Sequence, residues 1–137
     1  MIRTEIRWVL LPFEVLLGFV LVGIAAVLAA GQFYLWYEPV GGFFAAIAVV
    51  AVAYIRAPAW RLMVAFVAYS IGCAVVHQML WESSFYPENY ARAYEPTNLP
   101  FWVTLSGGTL AFLGVVSHAL HKRRTTSNKS LERTRER

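Results

Sequence analysis

The stretch "PFEVLLGFVLVGIAAVLAAG", residues 12–31, holds one charged residue, Glu14, in twenty positions. A helix needs about 20 predominantly apolar residues to cross roughly 30 Å of hydrocarbon. Three further runs of this kind follow. They are "VGGFFAAIAVVAVAYI" from Val40, reaching to about residue 57, "LMVAFVAYSIGCAVVHQMLW" over 62–81, and "FWVTLSGGTLAFLGVVSHALH" over 101–121. Lipid offers no partner to a free backbone N–H or C=O, so spanning segments are helices or closed barrels. A barrel strand would show about ten residues of alternating polarity, and no run here alternates. The sequence therefore predicts an all-α, integral membrane four-helix bundle, up-down-up-down, with a long third loop.

The composition agrees. Hydrophobic residues make up 58% of the 137-residue chain and charged residues 15%, against about 25% charged in a typical soluble domain. Lys and Arg collect on the cytoplasmic side of spanning segments. Arg3 and Arg7 precede run one, Arg56 and Arg61 flank the second loop, and Lys122, Arg123 and Arg124 open the tail. Four crossings place eleven of the twelve basic residues on one side, all but Arg92. Both termini are expected to be cytoplasmic. The positive charge follows from topology, so nucleic acid is not an expected partner.

Three regions result: an interfacial N-terminal segment over 1–11, the four-helix domain over 12–121, and a basic tail over 122–137 expected to be disordered. In the first, Ile2, Ile6, Val9 and Leu10 oppose Arg3, Glu5 and Arg7, as in a short helix lying on a membrane. The last residues, "SNKSLERTRER", resemble tails translated from recombination sites of integron gene cassettes. That resemblance implies a bacterial gene and, with the topology, the inner membrane.

The outer connectors are rich in aromatics and acids. Trp36, Tyr37, Trp81, Tyr86, Tyr90, Tyr94 and Trp102 suit the headgroup level, where an amphipathic ring is well placed. Glu38, Glu82, Glu88 and Glu95, with Arg92, form an acidic lip that could dock a partner or attract cations. The alternative is an interfacial belt with Pro39, Pro96 and Pro100 marking helix starts.

Polar residues inside a spanning segment are costly and are functional candidates. Glu14 heads them. If the helix is unbroken from Arg7, Glu14 lies about 10 Å along it, where it could trade a proton for a cation. If the helix begins at Pro12, Glu14 sits in the first turn near the headgroups. Length, helix count and a single Glu in the first helix resemble the small multidrug resistance transporters. Pro12, the long third loop and the one-sided charge depart from that family. The resemblance implies a coupling carboxylate at Glu14.

Ser70, Cys73 and His77 share one face of the third run, and Thr104 opens the fourth; together with Glu14 they form a candidate intramembrane polar site. Interhelical hydrogen bonding is the alternative reading. Gly107, Ala111 and Gly114 are spaced for close helix packing. His77 and His118 fall near opposite membrane faces, and one Cys cannot form an internal disulfide, so neither a metal nor a cofactor is expected and no residue is assigned as catalytic. The expectation for function is a non-enzymatic accessory or assembly subunit, or a homo-oligomer. It would act through its helix faces and its outer loop, with the lipid bilayer and a protein partner as its contacts. The alternative is a small transporter or ion-binding protein coupled through Glu14.

Overall fold

The structure is a computed structural model, and it describes residues 4–81 and 98–135. Four helices make up the fold: α1 Thr4–Gln32, α2 Tyr37–Arg56, α3 Arg61–Val76 and α4 Leu99–Arg135. A π-helical turn, His77–Trp81, extends α3. All four are long and apolar enough to cross a membrane, and no strand occurs among the described residues.

Side-chain contacts give the relative directions. Glu14 meets Arg56, and Gly23 faces Ala45, so α1 and α2 are antiparallel. Gly42 faces Thr104 and Tyr54 meets His118, so α2 and α4 run the same way. Tyr69 bonds Thr109 while His77 packs on Phe101, so α3 and α4 are antiparallel. One end of the molecule therefore carries the start of α1, the α2–α3 turn and the far part of α4.

The sequence of α2 makes it the centre. Gly41 and Ala45 stand four apart toward α1, and Gly42 and Ala46 stand four apart toward α4. Without bulky side chains on two faces, α2 accepts a close neighbour on each. A Cβ on Gly41 would meet the Val27 side chain at 2.7 Å, and one on Gly107 would meet the Phe43 ring at 2.9 Å. Val50 and Ala53 are almost fully buried. No residue of α1 comes within 8 Å, Cα to Cα, of α3 or α4 among the described residues. The bundle is thus open between α1 and α3.

Two differences from the sequence reading have plain causes. Pro12 lies inside α1, so the segment over 1–11 continues as helix from Thr4. The ring removes one backbone hydrogen bond, and the surrounding apolar turns keep the helix continuous. The tail is helical through Arg135 rather than disordered. It carries no Gly or Pro after Gly114, and Lys, Arg, Leu and Glu are good helix formers. The α1–α2 turn ends in a paired cap: Tyr34 N–H donates to the carbonyl of Gly31 and Leu35 N–H to that of Ala30. Tyr34 holds the left-handed conformation (φ 55°) that this cap needs.

Candidate functional site

A cavity of about 490 Å³ fills the gap between α1 and α3. Leu11, Val15 and Phe19 form one wall, and Val64, Ala68, Gly72 and Val75 form the other. Its floor is the α2–α4 seam, with Ala46, Val49, Val50, Ala53 and Gly108. The walls stand apart because α1 and α3 are held by α2 from different sides, and α3 is tied to α4. The Tyr69 and Thr109 hydroxyls are 2.9 Å apart, and the Tyr69 ring stacks on Phe112 at 5.4 Å. An interhelical bond of this kind is worth about 0.6 kcal/mol, and the stacking adds to it.

Of the five residues of the expected polar site, Cys73 and Thr104 both line the cleft, and Glu14, Ser70 and His77 are not among its lining residues. Glu14 lies at the level of the last residue of α2, where Arg56 grips it with two donors. Nε reaches Oε2 at 2.8 Å and Nη2 reaches Oε1 at 2.7 Å. Ten residues of α1, about 15 Å, continue past that level with Ile6, Val9 and Phe13 exposed. The helix is unbroken, yet Glu14 is near an end of α2 because α1 is much the longer helix. A doubly held carboxylate is a charge-assisted pair.

Ser70 is exposed and donates to the Phe66 carbonyl at 2.9 Å. Cys73 is half-buried and lines the cavity. His77 starts the π turn and meets the Phe101 ring edge-on at 6.3 Å. Thr104 is buried, and its Oγ1 has no hydrogen-bond partner. That oxygen stands where a Cβ on Gly42 would be, so it packs against the α2 backbone, a Cα–H···O arrangement seen between close helices. Among the described residues, no group of three His, Cys, Asp or Glu could hold a metal ion.

Of the packing residues, Gly107 is buried on Phe43, Ala111 is half-buried, and Gly114 is exposed with open space around it. The glycines of α1 and α2 were the missed signal: Gly18 faces the Val52 side chain, Gly23 faces Ala45 and Gly41 faces Val27. Glu38 sits in the first turn of α2, where a negative charge suits the helix dipole. Glu82, Glu88, Arg92 and Glu95 lie outside the described residues.

With the geometry in place, the cavity is an apolar cleft within the membrane-spanning part of the chain. The chain matches no family model, no curated protein and no solved structure.

Proposed function

We propose that this is a multi-pass protein of the bacterial inner membrane that acts by contact, with both termini in the cytoplasm. It is an accessory or assembly subunit, or a homo-oligomer, and it holds other membrane components against its helix faces rather than turning over a substrate. One observation carries this reading: an apolar cleft of about 490 Å³ lies between α1 and α3, with no cluster of reactive side chains among its lining residues. Sites for small ligands span about 300–1,000 Å³ and fix orientation with a few polar groups. This cleft has the size and lacks the polar set, as a surface for apolar neighbours would. In the transporter reading, Glu14 would have to exchange the two donors of Arg56 for its cargo.

The test is native mass spectrometry of the tagged protein, extracted with its surrounding membrane. A second chain or a homo-oligomer at fixed stoichiometry is expected. A bare monomer that exchanges a substrate, and loses that exchange in Glu14→Gln, would overturn the reading.

A further inference from the structure

The cleft has a charged mouth. Arg61 opens α3 on the face that lines the cleft, three residues before Val64 and seven before Ala68. Its Nε donates to the Ala57 carbonyl at 3.3 Å, and among the described residues no carboxylate lies against it. Arg56 closes α2 on its cleft-lining face, three residues after Ala53. It spends Nε and Nη2 on Glu14 and keeps Nη1. Both arginines are exposed. The first turn of α3 contains no acid to neutralise Arg61.

Length, lining and end charge select the occupant. The α3 wall runs from Val64 to Val76, about 18 Å at 1.5 Å per residue. The lining along that length is almost wholly apolar, and the two arginines stand at one end only. One hydrocarbon chain with an anionic head matches that apolar length and that charged end. A chain lying there would bring a headgroup to the end where Arg56 and Arg61 stand.

We infer that the cleft holds one acyl chain of an anionic phospholipid, with its phosphate against Arg61 and Arg56. This deepens the contact reading and rests on it. Polybasic segments gain from anionic lipid with each Arg near the surface. Neutral phospholipid carries the same chain and phosphate, and differs in its headgroup alcohol and its net charge.

The experiment uses the full chain in uncharged detergent, with phosphatidylglycerol and phosphatidylcholine of identical chains at equal concentration, and counts bound lipid by native mass spectrometry. One lipid per protein is expected, with phosphatidylglycerol favoured about fivefold. Arg61→Gln should keep one lipid and lose the preference. Gly72→Leu should lose the bound lipid with an unchanged far-UV circular dichroism spectrum, because a Cβ at Gly72 meets nothing within 4 Å and its side chain would enter the cleft. Equal binding of the two lipids to the wild type would overturn the inference, as would full lipid binding by Gly72→Leu. A second protein chain bound in place of lipid would overturn it while leaving the contact reading intact. Neither lipid nor chain, on a bare monomer, would sink both.

Discussion

Adding one methyl group at Gly42 should unseat α4 from α2. The Cβ of Gly42→Ala would fall on the Thr104 hydroxyl oxygen, and the Thr104 Cβ and Cγ2 lie at 3.3 and 3.4 Å. Thr104 is 7% exposed. Overpacking of this kind costs about 1–3 kcal/mol, while Gly to Ala in a helix returns roughly 1 kcal/mol of propensity. The net loss is about 1 kcal/mol. The reference is Gly114→Ala, where a Cβ meets nothing within 4 Å; it should gain up to about 1 kcal/mol. Propensity cancels between the two, so their difference, about 1–3 kcal/mol, reads the clash alone. The assay is reversible unfolding in mixed micelles, titrated with a denaturing detergent and followed by tryptophan fluorescence. Thr104→Ala should rescue most of the loss in Gly42→Ala, a coupling expected of residues in contact. Thr104→Val alone should be neutral or stabilising, because the hydroxyl it removes is buried and unpartnered. Equal stabilities for Gly42→Ala and Gly114→Ala would refute the seam as described.

The Glu14–Arg56 pair is a modest contributor, since its side chains are 32% and 58% exposed. A double-mutant cycle with Glu14→Gln and Arg56→Gln should give a coupling of about 0.2–1 kcal/mol, and a value above ~3 kcal/mol would instead indicate a pair buried in hydrocarbon. Tyr34 adopts a left-handed backbone at 97% exposure. Tyr34→Gly should therefore raise stability by about 1 kcal/mol in the same unfolding assay, and a loss would mean that the ring is anchored elsewhere. A reporter fused after Arg124 should be active only in the cytoplasm, as the positive-inside rule requires; periplasmic activity would reverse the orientation.

The helices were legible because their cause is local. Twenty apolar residues must be helical in lipid whatever surrounds them, and the runs from 12, 40, 62 and 101 all fall within helices. The ends were less so. Pro12 reads as a helix start, yet a proline needs only its own turn to adjust, and α1 carries on through it. The polar site was the least legible part. Glu14, Cys73 and Thr104 each look exceptional in an apolar run, but their meaning depends on which helices touch. Arg56 is 42 residues from Glu14, and no periodicity within α1 could reveal it. The central place of α2 was written in its two small-residue faces, Gly41/Ala45 and Gly42/Ala46. Reading it required asking which helix could take two neighbours, not which helix carried the most glycine. The cleft arises from an absence of contact between α1 and α3, which no single segment encodes.

The open cleft underlies both the contact function and the lipid inference, and cysteine crosslinking tests it directly. In a Cys73→Ala background, one pair of cysteines replaces Gly23 and Ala45, where the Cβ positions are 3.4 Å apart, close to the roughly 3.5–4.5 Å of a disulfide. A second pair replaces Leu16 and Ile71, which line opposite walls of the cleft. Under mild oxidation in the membrane the first pair should form its disulfide and the second should stay reduced. If Leu16→Cys and Ile71→Cys crosslink as readily as the reference pair, α1 and α3 are in contact, and the cleft with everything built on it is contradicted.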